Sequence, residues 1–492
     1  MPKWVLLWTD AALWLLVIAA LVYGRFVWLR PQLKASWQKV FRNAPALCSS
    51  LVLAACLLVT LLDSVHYRER LAPVPGASAS AAAVPGVTSV ASPAYDPKLQ
   101  SVLDALLQPL IEGREKTYSL PLAYQGFTKE TAEINGQPTR TAPRLVFGGA
   151  HLKDPAQDWA GDLAARASWG AASGLGIALL ACWALVALLA RSGQQPLPAA
   201  WRDIRSGQTR IPWRTAMGTM LLMGLLFGAT LSLMQRYHVF GTDVTGNDVL
   251  YQTLKSMRTA FVIGALSTLF TLPLAVVLGI AAGYWRGWVD EVIQYLYTLL
   301  SSVPNILLIA ALVLMVQVFL DKNPGLFETA AERADLKLFL LCAVLGLTGW
   351  AGLCRLLRAE TLKVRELEYV QAAQAFGVSD ARIMWQHVFP NVAHLMLIVT
   401  VLEFSSLILY EAVLAIVGVG VDPSMNSFGG MINYARNEMS REPVVWWPFL
   451  SAFIFMVALV LAANLFADGV RDAFDPRAAS FKPRPRRRAS TV

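Results

Sequence analysis

Two glutamates interrupt one long apolar run, Glu403 and Glu411 within VTVLEFSSLILYEAVLAIVG. A carboxylate placed near mid-bilayer costs about 2.5 to 3.5 kcal/mol on insertion scales, so each must meet protein or water. Glu411 reads as a helix-packing contact ahead of a solute contact. Glu403 either bonds a neighbouring helix or faces a polar group in a water-filled pathway. Other chemistry is sparse. The histidines His66, His151, His238, His387 and His394 are scattered, and no His-Glu-x-x-His pair, nucleophile elbow or metal-ligand cluster occurs. Nor is there a Gly-x-x-x-x-Gly-Lys-Ser/Thr loop, so nucleotide phosphates are not cradled in that way by this chain.

Residues 366–390, ELEYVQAAQAFGVSDARIMWQHVFP, are too polar to span a membrane. Ala372, Ala373 and Ala375 favour helix and leave a thin surface, and Gly377 supplies a left-handed cap. Ser379 or Asp380 can cap a second helix, with Pro390 placed after its last full turn. The result is a helix-Gly-helix elbow with Glu368, Gln371 and Arg382 along its edge, shaped as a docking knob for another protein.

The elements that must hold these residues are membrane spans. Hydrophobic residues make up 56% of the 492-residue chain, and mean hydropathy is +0.49. A helix needs about 20 apolar residues to cross roughly 30 Å of hydrocarbon. Nine stretches qualify: about 4–28, 45–62, 168–190, 212–234, 256–284, 292–319, 337–357, 393–420 and 446–468. The formal charge of +9 concentrates in loops: Arg30, Lys34, Lys39 and Arg42 after the first span, Arg191 to Arg214 after the third, and the tail from Arg471 to Arg488. Basic loops mark the cytoplasmic side, which places the N-terminus outside and the C-terminus inside. The Arg484–Arg488 run then reads as a topological anchor on membrane lipid, without nucleic acid as a partner. All five cysteines lie in or beside apolar spans, which implies neither disulfides nor metal knuckles. Residues 1–28 read as a retained span, since no small-x-small cleavage site follows. Asp10 and Arg355, near span ends, are expected to snorkel to water.

Between the second and third spans lies a long polar segment, placed outside by the charge pattern. Residues 72–97 are Ala/Pro/Ser-rich and read as a linker. Beyond them Leu99, Val102, Leu103, Leu106, Leu107 and Leu110 recur at helical spacing, and 118–122 with 145–147 suggest short strands around Asn135-Gly136. That lobe is near the lower size limit for independent stability and is expected to dock on the spans.

With these segments in place, Gln371-Ala372-Ala373, Gly377, Ile383, His387 and Pro390 resemble the Glu-Ala-Ala, Gly, Ile and Pro loop of the permeases of binding-protein-dependent ABC importers. Gln371 stands where that family usually has Glu. Gly241, Thr242, Asp243, Gly246 and Asp248 resemble the exported Gly-Thr-Asp, Gly-Arg-Asp-Val segment of dipeptide, oligopeptide and nickel permeases, with Asn247 in place of Arg. Gly283-Tyr284, Gly287 to Asp290, Pro304, Glu411 to Gly420 and Asp468 to Arg477 match in order, so the resemblance covers about 213–477. Residues 37–43 resemble the usual entry to the family's first helix. Residues 123–126 and 147–149 have a faint likeness to the exported insert of microcin-C-type peptide permeases.

The resemblance implies an all-α polytopic fold with a type I importer core of five to six helices within about nine spans, plus a small exported α+β lobe. It divides the chain into an N-terminal span pair (1–62), an exported linker and lobe (63–167), additional spans (168–234), a permease core (235–477) with its coupling loop at 366–390, and a basic tail (478–492). It also implies that the elbow seats in a separate ABC ATPase that hydrolyses ATP with Mg while this chain binds no cofactor. A second permease subunit and a periplasmic or lipid-anchored binding protein complete the expected assembly in a bacterial inner membrane, carrying a peptide-like solute. Two alternatives stay open. An ion-coupled secondary transporter would draw on Glu403 and Glu411, and a membrane sensor would use the lobe on a permease scaffold.

Overall fold

The computed structural model describes residues 3–70, 95–96, 98–134, 137–327 and 329–474. Most of the linker at 72–97, the Asn135-Gly136 pair, Asp475 to Arg477 and the basic tail lie outside them. Among the described residues nine helices are long and apolar enough to cross a membrane.

The chain opens with β1 (Lys3–Val5), then α1 (Trp8–Leu29), the short amphipathic α2 (Pro31–Arg42) and α3 (Ala44–Asp63). β2 (His66–Arg68) pairs antiparallel with β1, in register Trp4 to Tyr67, and with β3 (Gln100–Ser101). The N-terminal strand therefore lies at the same end of the bundle as the segment that follows the second span. α4 (Val102–Leu106) starts from a capping box in which Ser101 and Asp104 satisfy each other's backbone N–H, and α5 (Gln108–Glu112) follows. Leu103, Leu107 and Leu110 bury against Met234 and Leu250, so this part of the lobe is seated on the spans.

The strands expected at 118–122 and 145–147 do not form. Tyr118 and Leu145 are buried loop anchors, joined only by isolated bridges around them. The hairpin comes instead from β4 (Glu130–Ile134) and β5 (Gln137–Thr141), whose polar residues flank the expected turn.

α6 (Pro155–Ser192) and α8 (Trp213–Leu233), bridged by α7 (Leu197–Ser206), form a hairpin of spans. Gly170 and Gly174 lie against Gly224 and Gly228 with no space for a Cβ on either side, the close backbone approach that small residues permit between membrane helices. α9 (Val249–Trp285) is the axis of the remaining bundle. The single span expected at 292–319 is broken. α10 (Gly287–Ser302) stops and α11 (Asn305–Lys322) restarts on either side of Pro304. Proline has no N–H and pushes its predecessor out of the helical region, as the extended Val303 (φ −93°, ψ 135°) records.

α12 (Ala330–Arg365) packs along α9 and leads to α13 (Glu368–Ala375). α14 (Asp380–Val417) begins as helix, widens to a π turn at Met384–Val388 and continues to its end. α15 (Phe428–Glu438) and α16 (Trp447–Phe474) complete the described chain.

Two cations on α9 bind the N-terminal part to the core. The Lys255 ammonium donates to both carboxylate oxygens of Asp104, at 2.8 and 2.9 Å, and lies 3.4 Å from Asp63. Arg258, only 4% exposed, reaches Asp10 of α1 at 2.6 Å and Asp335 of α12 at 3.5 Å. Thr9 donates its backbone N–H to Asp335, and the His66 ring meets Asp10 at 2.8 Å. Asp10 is thus fully buried and does not snorkel: a strong counter-charge inside the bundle outweighs the reach to water. Replacing Arg258 by Gln strands two buried carboxylates, so the solubilised protein is expected to lose roughly 3 to 5 kcal/mol in denaturant unfolding. Adding Asp10→Asn should restore part of that loss, and equal stability of the single and double variants would remove the pairing from its role.

Candidate functional site

The elbow is anchored by its inner face. Val370 of α13 and Ile383 and Val388 of α14 are fully buried in one apolar cluster with Tyr284, Leu357 and Val364. Gln374 donates to the Tyr284 hydroxyl at 3.0 Å, which donates to Asp380 at 2.9 Å, and the Trp285 indole donates to the same carboxylate at 3.2 Å. Arg286 pairs with Glu366, and Asp290 takes Arg358 in a bidentate pair at 2.5 and 2.6 Å. The ends of α9 and α12 and the start of α10 are thereby fixed against the elbow.

The turn itself is a Schellman motif. Gly377 at φ +73° donates to Gln374 O and Val378 donates to Ala373 O, which satisfies the carbonyls at the end of α13. Ser379 caps α14 by backbone position alone, without a side-chain bond, and the Asp380 carboxylate is taken up by Tyr284 and Trp285. Pro390 does not end the second helix as its position suggested. The helix passes through it, and Phe389 N–H bonds Met384 O in the π turn that absorbs the missing donor.

Of the residues singled out in sequence, Glu368, Gln371, Ala372, Gly377 and Pro390 are exposed and Ala373 half-buried. Ile383 points inward as an anchor. His387 is half-buried, its ring centroid 6.0 Å from that of Tyr369, and Asn391 ties Tyr369 to the His387 carbonyl. Sequence reasoning passed over the aromatic residues. Phe376 is 87% exposed at the tip and Trp385 stacks on Phe389 at 4.9 Å. A Phe placed just before a helix-ending Gly was the available signal.

At the opposite end of the bundle, 238–249 folds into a tight lock. Gly241 and Gly246 take left-handed conformations, at φ +70° and +77°, against the Ser119 and Glu115 carbonyls, which leave no space for a Cβ. Thr242 donates to Thr117 O at 2.9 Å and accepts from Ser119 N–H at 2.7 Å, and Trp447 donates to Thr242 O. Asp243 closes the turn by accepting from Thr245 and Asn247 backbone N–H. Asp248 caps α9 through Tyr251 N–H and holds His238 at 2.7 Å. His238 lies 3.6 Å from Glu115, itself the acceptor of Val146 and Phe147 N–H. The segment clasps the lobe to the core.

The intramembrane glutamates are not brought together. Glu411 is buried and accepts from Gly429 N–H at 3.1 Å at the start of α15, where the helix dipole favours a carboxylate. It serves as an anchor between helices. Glu403 lies on the exposed side of α14 and makes no hydrogen bond among the described residues.

A multi-span protein with one anchored, bare-faced elbow and a clasped loop at the other end has the form of a permease. Residues 275–480 match the family model described as binding-protein-dependent transport system inner membrane component. Over 256 residues the chain is 32% identical to the oligopeptide transport system permease protein OppC of Mycobacterium tuberculosis, across 52% of this chain and 81% of that one. It is 30% identical over 242 residues to the dipeptide transport system permease protein DppC of Lactococcus lactis, covering 49% and 64%. The glutathione transport system permease protein GsiD of Pectobacterium atrosepticum is 30% identical over 244 residues, covering 49% and 74%. The chain belongs to the binding-protein-dependent transport system inner membrane components and is an ABC importer permease subunit.

Burial opposes charge on His238, but Asp248 and Glu115 outweigh it and raise its pKa from 6.5 to about 9. A raised folded-state value stabilises fully below the unfolded pKa and fades as pH climbs through the folded one. The clasp is therefore expected at full strength below pH 6.5 and lost above about pH 9, a change on the order of 3 kcal/mol. Protease resistance of the lobe across that range checks it, and His238→Gln should flatten the profile.

Proposed function

We propose that this chain is the translocation subunit for a peptide-like solute, driven by separate ATPase subunits that grip the elbow at 366–390. The bare Phe376 tip on a buried, hydrogen-bonded base carries the reading. A docking knob must be rigid on its inner side and uncommitted on its outer side, and this one is both. Oligopeptide, dipeptide and glutathione permeases among the relatives support the solute class. The basic residues of α2, α7 and the adjoining loops lie at the elbow's end of the bundle, which supports a cytoplasmic elbow and C-terminus and an outer N-terminus.

On this reading the 238–249 clasp and the lobe face a binding protein outside, and ATP with Mg is hydrolysed on the partner, with no cofactor on this chain. Exposed Glu403 is accommodated by a second permease subunit, since a lone carboxylate facing lipid is costly. Closure of the ATPases moves α13, and α14 carries that motion across the membrane to α15.

The test uses the assembled importer in proteoliposomes. Phe376→Ala and Ala372→Trp should each abolish most ATP-driven uptake of solute while the chain still folds and inserts. Gly377→Val, which forces a branched side chain into a left-handed conformation at a cost of roughly 1 to 2 kcal/mol, should do the same. Coupled uptake at wild-type rate in all three would remove the elbow from its role, and uptake that needs a proton gradient but no nucleotide would favour ion coupling.

A further inference from the structure

The break at Pro304 lies level with the middle of a membrane-spanning helix, on an open face of this chain. α11 pairs with α12, and the break falls beside Thr348 and Gly352, near the middle of that 36-residue helix. A hollow of about 460 Å³ opens there, lined by Ser301, Ser302, Asn305, Thr348, Gly349 and Gly352 among others. Non-helical backbone at membrane depth is tolerated only where protein covers it or where it lines a wet cavity. Here the backbone is not covered by this chain, because Ser301, Ser302, Pro304 and Asn305 are all exposed.

The hollow's chemistry is selective. Its lining holds no carboxylate, imidazole, thiol or cationic side chain. The Asn305 amide and the Ser301 hydroxyl make no hydrogen bond among the described residues, while Ser302 and Thr348 spend their protons on Leu299 and Val344 carbonyls and keep lone pairs as acceptors. α11 begins from Pro304 without a side-chain cap, so its first N–H groups find no side-chain acceptor. Donors and acceptors of neutral type thus surround a space within the range of small-ligand sites, about 300 to 1,000 Å³. A transition-metal ion would find no imidazole, thiolate or carboxylate here, and a lipid tail would leave the polar groups unmatched.

We propose that the interrupted α10–α11 segment is a subsite on the transport pathway that takes the uncharged peptide backbone of the solute, Asn305 and Ser301 exchanging hydrogen bonds with its amides. The inference rests on the permease reading and narrows it, since a nickel-type cargo has nothing to hold it here.

The test uses the full importer in its membrane, with single cysteines at Ser301 and Asn305 in a background lacking the five native ones. A hydrophilic methanethiosulfonate reagent should label both and leave a Leu314→Cys control on α11 unmodified. Trialanine should slow labelling about fivefold at roughly four times its apparent dissociation constant. Labelling that trialanine does not slow, or slowing by nickel ions instead, overturns the subsite, as does absence of labelling. A second variant guards against misfolding: a Cβ at Gly352 meets nothing within 4 Å, so Gly352→Leu should fill the hollow and cut trialanine uptake in a complex that still co-purifies. Unchanged uptake overturns the proposal. Deleting the chain separates the two levels. Uptake lost on deletion but without protection at 301 and 305 sinks the subsite alone, whereas trialanine uptake that survives deletion sinks the peptide-permease reading with it.

Discussion

The structure depends on an arginine that cannot be left alone. Arg258 sits in the first third of the axial helix, where a guanidinium facing hydrocarbon would be costly, and its presence obliges other elements to bring carboxylates to it. Asp10 comes from the first span and Asp335 from the head of α12, while Lys255, one turn earlier, collects Asp104 from the lobe and Asp63 from the end of α3. Each partner arrives from a different part of the sequence. The charge pattern therefore decides how the N-terminal spans and the lobe attach to the permease bundle. It also explains why the lobe, too small for much of a core of its own, is ordered: its helix α4 is neutralising a lysine as well as burying leucines.

The same logic runs at the elbow with the burial reversed. α13 has a fully buried Val370 and an outward row of Glu368, Gln371, Ala372 and Phe376, so almost all its fixing energy lies on one side. One neighbour, α12, is held by charge pairs to the α9–α10 turn. The other, α14, is a single helix from Asp380 to Val417, and at its far end Glu411 holds the N-terminus of α15. A displacement of the elbow has a continuous mechanical route to the opposite surface. The π turn at Met384–Val388 is the one place along that route where the hydrogen-bond ladder changes register.

What the sequence made legible follows from range. Membrane spans are read from length and apolarity alone, and the elbow's Gly377 turn is local, so both were recoverable. The break at Pro304 was also local, yet apolar residues on both sides merged into one apparent span and hid it. Asp10 is held inside the bundle by Arg258, far away in sequence, and no local pattern announces such a pair. The lobe's hairpin escapes a reading by apolarity for a related reason: Tyr118 and Leu145 are apolar residues buried in loops, whereas β4 and β5 are built mostly of polar residues. Pro390 looked like a stop because a proline normally is one, and the compensating π turn has no periodicity of its own.

The departure at Gln371 can be weighed against this geometry. Its side-chain amide donates to the Glu366 carbonyl at 3.3 Å within its own elbow and stays exposed. The hydrogen bond that fixes α13 to the bundle belongs to Gln374, and the apolar anchor to Val370. Replacing a carboxylate by an amide at 371 therefore leaves the seat of the helix unaltered and changes only what it offers outward, from a charged acceptor to a neutral donor and acceptor. On the docking proposed above, a partner surface matched to this chain needs less positive charge opposite residue 371.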